Sequence, residues 1–495
     1  MHWIDLAIIV LYLAMVVGSG FYFGARQQST SRYFLGGHQV PWWAISASIV
    51  ATETSTVTFI SVPGIVYASQ GDFRFLQIVF GYIVARVVIS VLFMPAYFRR
   101  ELVTVYELLQ ERFGGGVKAL AATLFVVMRT VADGVRLLLT GFVLAAVVQS
   151  LNIADKAVAG SVIGIGLVMI VFTLYGGIEA IVWVEVVQLG IYIGGALAAA
   201  IVLVRDIPGG MSTVMQLGGE SHKFRFLDFS FDITRTFTFW SGVIGGAFLT
   251  MSTHGTDQYM VQRYLCTDRP RKAAAALLLS GLVILLQFIG FLFIGVLLFA
   301  FYRPDRLPAY AKAGSVAPFA APDTVFPDFI TNHLPVGLSG LVVAAIFAAA
   351  MSSSLNSIAA TVTADLYKPL VPNREDRHYL NFSRWVTIIA GIAQIAVGVA
   401  MEHSGRSALN TVLSIASLIN GPILGVFLLG ATRRGGRAAA FAGMLTGIVV
   451  VMFVAFGTRV AWPWYTLIGS MTTLVVGSIV AAFEKAEGRG QKAEA

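Results

Sequence analysis

The sequence predicts an all-α integral membrane protein with about thirteen transmembrane helices, and three observations carry that expectation. Of 495 residues, 57% are hydrophobic and only 12% are charged, where a soluble domain carries about 25% charged residues. Mean hydropathy is +0.79. The apolar runs are long and unbroken, roughly 20 residues or more, which suits membrane helices rather than barrel strands.

The spans fall near residues 3–25, 40–67, 73–98, 118–149, 158–178, 182–204, 238–260, 273–302, 335–362, 383–401, 409–430, 438–457 and 463–483. The first lacks a basic leader and is long enough to span, so no cleavable signal peptide is expected. Two longer loops, 205–237 and 303–334, are rich in Pro, Asp, Phe and Gly. With the N-terminus outside, about 20 of the 34 Lys and Arg residues fall in cytoplasmic loops and the tail, so N-out, C-in satisfies the positive-inside rule. That rule also accounts for the net charge of +8, and no nucleic-acid partner is expected. The partners expected are the lipid bilayer of the cell's inner (plasma) membrane and a small polar solute, the chain being a monomer or weak oligomer. A single cysteine, Cys266, excludes an internal disulfide.

The second span holds ATETSTVTFISVPG at 51–64. One acid, Glu53, and six hydroxyls, Thr52, Thr54, Ser55, Thr56, Thr58 and Ser61, stand before Pro63 and Gly64. At mid-membrane the backbone can leave helical geometry only where protein or a water-filled cavity satisfies it. The cluster therefore predicts an interruption near 52–55. Hydroxyls and freed carbonyls make a hard-oxygen environment suited to Na⁺ or a polar solute. Span seven is the second interrupted segment, with Gly242, Gly245 and Gly246 followed by a polar run over 252–258 that includes His254 and Asp257. An offset of five spans inverts the second unit relative to the first, so spans 2–6 and 7–11 are candidate inverted repeats. The expected organisation is an extra helix and loop at 1–39, a first five-helix repeat at 40–204, an extracellular loop at 205–237, a second repeat at 238–430, two further helices at 431–483 and a short cytoplasmic tail at 484–495.

Span four carries Arg129, Asp133 and Arg136 at i, i+4 and i+7, which puts them on one helical face. An unpaired charge in a bilayer costs at least about 2.5–3.5 kcal/mol on insertion scales, so a connected ladder facing the protein interior is expected. Its net positive charge favours an anionic or polyhydroxyl solute over a cation, with Asp133 and Arg136 as candidate solute residues; the alternative is a purely structural ion triad.

Five motifs stand in order: ATETSTVTFISVPGIVY (51–67), TVYELLQERFG (104–114), YGGIEAIVWVEVVQ (175–188), GTDQYMVQRYL (255–265) and IFAAAMSSSLNSIAATVTADLY (346–367). With them, residues 3–483 resemble the sodium:solute symporter family. The resemblance implies a leucine-transporter-like fold of five-plus-five inverted repeats, alternating access, and Na⁺ as coupling ion. It places a Na⁺ site on the carbonyls of Ala51 and Thr54 from span two, with the carbonyl of Ala349 and the hydroxyls of Ser352 and Ser353 from span nine. Span nine is shortened relative to the family pattern by about three residues, roughly 300° of helix rotation. Aligned from Asn356-Ser357 instead, the hydroxyl positions become Ala349 and Ala350; the alignment from Met351 is preferred because IFAAAMSS runs unbroken into it. A second ion site in some relatives maps to Glu185, with Ser354 beside it; Glu185 could equally titrate a proton or pair with a basic residue. The family's solute-lining positions fall on Glu53, Ser55, Thr58, Phe73 and Gln77.

The expected function is Na⁺-coupled symport of a sugar, sugar acid or carboxylate. The alternatives are an H⁺-coupled or ion-independent transporter, or a sensor or channel on the same scaffold. No enzyme is expected, since there is no HExxH, no GxSxG and no cysteine cluster.

Overall fold

A computed structural model describes residues 1–25, 29–150, 158–302, 322–351, 354–402, 408–432 and 435–493. Among them every regular element is a helix. Eight of these helices are long and apolar enough to cross a membrane, or nine if one bent pair is counted as a single span.

The chain begins with α1, Trp3–Gly24. The bent pair follows as α2, Trp42–Glu53, and α3, Thr56–Tyr67, whose axes meet at 52°. The ladder of α2 ends with Thr54 N–H donating to Val50 O at 2.8 Å, and that of α3 starts with Phe59 N–H donating to Ser55 O at 3.0 Å. The carbonyls of residues 51–54 lie between the two ladders. The interruption thus falls where the hydroxyl cluster placed it. Pro63 and Gly64 do not end the segment; Pro63 sits inside α3, and a Cβ on Gly295 would come within 2.4 Å of its carbonyl. The ring of Phe59 stacks on Tyr192 at 4.6 Å and meets Phe291 edge-on at 5.4 Å.

Helix α4 is Leu76–Leu92 and α5 is Gly115–Ser150. A continuous helical path, α6, runs over Val158–Asp206 but turns at Gly177, whose φ of 60° and ψ of −171° leave the helical region. Only glycine adopts that backbone freely, which places the boundary between the two expected spans inside the YGG motif.

Span seven is likewise discontinuous. A wide π-type turn at Ser241–Gly245 leads into α7, Gly246–Gly255. The chain leaves helix at Thr256 and Asp257, and α8, Gln258–Leu265, starts with Asp257 accepting from Tyr259 N–H at 2.9 Å. The glycines before this break serve close packing: a Cβ on Gly242 would come within 2.5 Å of the Gln77 backbone, and one on Gly81 within 2.4 Å of Gly242 O. Helix α9 is Pro270–Phe301. Helices α10, Leu338–Met351, and α11, Leu355–Thr361, flank residues 352–353, which lie outside the described residues. Four further helices close the chain: α12 (Asp376–Ala400), α13 (Ala408–Ala431), α14 (Arg437–Gly457) and α15 (Pro463–Ala493).

The loop after α6 is tied down by a buried lysine. Lys223 Nζ donates to Val66 O at 2.9 Å, Ala68 O at 2.5 Å and Ser69 O at 3.3 Å, and lies 4.4 Å from the Phe299 ring centroid. It thus satisfies carbonyls at the end of α3, where the helix leaves them unpaired. Burial pushes its pKa down to about 8, with Asp72 pulling the other way. A free lysine titrates near ~10.4. A cation whose folded pKa is depressed opposes docking while it is protonated, so docking tightens as pH rises from about 8 toward ~10.4. Hydrogen exchange of residues 66–69 and 224–228, corrected for intrinsic rates, is expected to show greater protection at high pH. Lys223→Gln, which keeps donors without the charge, is expected to abolish that trend. A parent with equal protection throughout that range contradicts this account.

Candidate functional site

Beside the α2–α3 break lies a cavity of about 130 Å³. Its polar wall includes Glu53, Ser55 and Thr58 from the broken span, Arg129 and Arg136 from α5, and His254 from α7. Phe75, Tyr82 and Phe288 close it with aromatic surface. A largely apolar pocket with a few convergent polar groups is the usual form of a small-molecule site.

Four of the expected solute residues, Glu53, Ser55, Thr58 and Arg136, line this cavity. Three do not. Phe73 packs edge-on against Phe224 at 5.7 Å, and the aromatic wall is supplied by Phe75, two residues later. Gln77 donates to Arg74 O at 3.2 Å and Phe237 O at 3.4 Å and accepts from Asp228 N–H at 2.9 Å. It fastens the loop before span seven. Asp133 lies behind the wall.

The three charges of span four do not form the expected ladder. Arg129 Nη2 donates to Asp257 Oδ2 at 2.5 Å, so its carboxylate partner comes from the break in span seven. Asp133 faces Arg136, with Oδ1 3.3 Å from Nη1. Its Oδ2 accepts from the Ser354 backbone N–H at 3.0 Å and from the Ser354 hydroxyl. The helical face is as expected, but the partner of Arg129 is set by tertiary packing. Among the described residues, the Nε atoms of both Arg129 and Arg136 are buried without a hydrogen-bond partner. Both arginine side chains line the cavity, and guanidinium groups at a cavity wall suit an anion.

Glu53 is itself held. Its Oε2 accepts from Arg86 Nη2, and its Oε1 lies 3.0 Å from His254 Nε2. Arg86, a basic residue within span three, is 1% exposed, and its spacing in the sequence gives no sign that Glu53 is its partner. The His254–Asp257 segment was visible there as a polar run; Tyr82 and Phe288 had no signal beyond being aromatic.

The expected ion residues divide in two. Ala51 and Thr54 lie at the break, and Ala349 lies near the end of α10; Ala51 and Ala349 are buried. The two elements touch, since the Thr56 hydroxyl donates to Ile346 O at 3.2 Å. Backbone carbonyls at the end of a helix ladder are hard oxygen donors of the kind Na⁺ takes, and that of Glu53 already accepts from the Thr58 hydroxyl at 2.7 Å. Ser352 and Ser353 lie outside the described residues. The second pair, Glu185 and Ser354, is not brought together by any bond between them. Ser354 bonds Asp133, while Glu185 pairs with Arg263 Nη2 at 2.6 Å and accepts from Thr52 Oγ1 at 3.0 Å and from the Ser48 hydroxyl. Arg263 also donates to Ser48 Oγ at 2.9 Å and to Tyr259 O at 2.6 Å. Glu185 therefore already has a resident cation.

The sequence profile of the sodium:solute symporter family matches residues 33–447. The sodium/sialic acid symporter NanT of Aliivibrio fischeri is 30% identical over 96% of this chain and 92% of its own length. The human sodium-coupled monocarboxylate transporter 1 is 29% identical over 92% of this chain and 73% of its own. A solved Na⁺-coupled sialic acid symporter, substrate-bound and outward-open, superposes with a TM-score of 0.86 at 29% identity, covering 97% of this chain and 98% of that one. A broken second span beside a polar cavity, a second break in span seven and a match over most of the chain agree: this protein belongs to the sodium:solute symporter family.

Proposed function

We propose that this protein is a Na⁺-coupled symporter of a small organic anion, a carboxylate or compact sugar acid. The observation that carries the solute class is the pair of arginine side chains, Arg129 and Arg136, that line a cavity whose remaining polar wall is hydroxyl-rich. The volume of about 130 Å³ is below the roughly 300–1,000 Å³ of drug-sized sites and favours a compact solute. In this reading Ser55, Thr58 and Arg136 contact the solute, and Glu53 shapes the wall through Arg86 and His254. The relatives named for sialic acid and monocarboxylates support an anionic solute.

The chain is proposed to make thirteen crossings in the plasma membrane, N-out and C-in. Residues 40–204 and 238–430 form inverted five-helix repeats that alternate access around the cavity. The coupling Na⁺ is proposed to sit on the carbonyls of Ala51, Thr54 and Ala349 and the hydroxyls of Ser352 and Ser353. These ligands need no deprotonation, so Na⁺ binding is expected to depend weakly on pH.

Uptake into proteoliposomes tests the reading, with lactate, glucuronate and glucose as solutes. An inward Na⁺ gradient is expected to drive accumulation of a carboxylate, and a pH gradient in Na⁺-free medium is not. Ser352→Ala with Ser353→Ala is expected to abolish Na⁺ stimulation while helix propensity, and with it folding, is kept. Equal carboxylate uptake with and without Na⁺, alongside a response to the pH gradient, overturns the choice of ion. Accumulation of glucose alone overturns the choice of solute.

A further inference from the structure

Helix α4 carries a single charge, Arg86, in an apolar sequence, and that side chain is almost fully buried. Its seat is built from three elements. Nη2 donates to Glu53 Oε2, Nε to the Ser280 hydroxyl at 3.3 Å and Nη1 to Tyr82 O at 3.3 Å. Gly281 on α9 makes room for it, since a Cβ there would come within 2.7 Å of Arg86 Cδ. Tyr82, one turn earlier on α4, lines the solute cavity, as does Glu53, whereas Arg86 stands behind them. Each charge on the cavity wall has its opposite set back in this way. Arg129 pairs with Asp257, Arg136 with Asp133 and Glu53 with Arg86. These pairs hold as many cations as carboxylates, and His254 lies 3.0 Å from Glu53 Oε1.

We propose that Arg86 is a specificity-determining residue that acts from behind the wall: by cancelling the Glu53 carboxylate it lets the cavity hold an anion. The inference rests on the anionic-solute reading above and extends it to a residue that does not touch the solute. An anion entering the intact set meets no excess charge, and the two arginines on the wall are there to receive it. Without Arg86 the set carries one excess negative charge, and that charge sits on the wall itself. Like charges held in one site away from water disfavour each other. Without the Glu53 charge the imbalance is reversed, and the anion gains. The sign of the effect therefore depends on which partner is removed. A pair that served the scaffold alone has no such sign: breaking it from either side weakens the fold and affects charged and neutral solutes alike.

The test is calorimetry on the purified full-length protein in nanodiscs, in Na⁺ medium, with lactate against lactamide and glucuronate against glucuronamide. Each amide keeps the shape of its acid and loses the charge. The ratio of the amide to the acid dissociation constant is the charge preference; a partly unfolded sample lowers the binding stoichiometry and leaves this ratio alone. The parent is expected to prefer the acid. In Arg86→Gln the preference is expected to fall about 10- to 100-fold, the scale of one unit charge about 6–12 Å away at an effective dielectric constant of about 20. In Glu53→Gln it is expected to rise above that of the parent. Arg86→Lys keeps the charge and is expected to stay near the parent. A parent-sized preference in Arg86→Gln overturns the proposal, including the case in which both constants weaken together. Should that variant fail to fold, a preference that does not rise in Glu53→Gln, or that is lost in Arg86→Lys, overturns it instead. A parent that binds acid and amide alike, or neither acid, overturns the underlying reading, and that result comes from the parent arm alone.

Discussion

Glu185→Gln is expected to destabilise the protein severely, lowering yield and melting temperature, because it strips a buried arginine of its counter-charge. Glu185 and Arg263 are both fully buried and stand 2.6 Å apart. Ser48 and Thr52 on α2 bond the same pair, and the guanidinium lies 4.5 Å from the Tyr259 ring centroid. Three segments, α2, the second half of α6 and α8, therefore meet on this one ion pair. Removing one member of a buried pair costs about 3–5 kcal/mol, mostly from the charge left behind, whereas replacing both members by apolar residues of similar volume is often neutral. The double variant Glu185→Leu/Arg263→Met is accordingly expected to recover most of the lost stability. A coupling role for Glu185 through a proton makes the opposite forecast. In that case Glu185→Gln folds normally and loses only uptake driven by a pH gradient. Thermal unfolding of the two variants beside the parent, followed by uptake under each gradient, separates the two accounts. A single variant as stable as the parent rejects the structural pairing.

The sequence was most informative where the backbone itself must do something unusual. Hydroxyls crowded into an apolar segment mark a place where helical bonds are exchanged for others, and the break at Thr54 and Ser55 lies among them. Glycines spaced at Gly242, Gly245 and Gly246 mark backbones in contact, and α4 does press on that turn. Side-chain partners were much less legible. Helical spacing puts Arg129, Asp133 and Arg136 on one face, but only the fold decides that Arg129 reaches Asp257, 128 residues on. Pro63 stands directly after the hydroxyl cluster in the sequence, yet α3 continues through it. Phe73 and Phe75 have the same chemistry two residues apart, and a turn over 73–75 leading into α4 settles which one reaches the cavity. Glu185 carried three open roles in the sequence; the arginine that narrows them sits 78 positions later, in another motif.

The two arginines at the cavity are expected to respond differently to the same substitution, because their existing partners differ. Arg129 is committed: its 2.5 Å bond to Asp257, a residue 1% exposed, is the close contact of a full ion pair. Arg129→Gln leaves that carboxylate without its cation, and the loss is expected to appear as misfolding, on the scale of about 3–5 kcal/mol for a broken buried pair. Arg136 is less committed. Its contact to Asp133 is 3.3 Å, and Asp133 has two donors from Ser354 to fall back on. Arg136→Gln is therefore expected to fold, while carboxylate uptake drops about 10- to 100-fold, corresponding to one hydrogen bond to a charged group, about 1.5–3 kcal/mol. Arg136→Lys keeps the charge but loses the planar fork, so it is expected to fall between the parent and the glutamine variant. Initial rates of carboxylate uptake, normalised to the folded fraction measured by size-exclusion chromatography, give the comparison. If Arg136→Gln transports like the parent while Arg129→Gln folds and loses uptake, then Arg129 grips the solute and Arg136 serves the scaffold through Asp133.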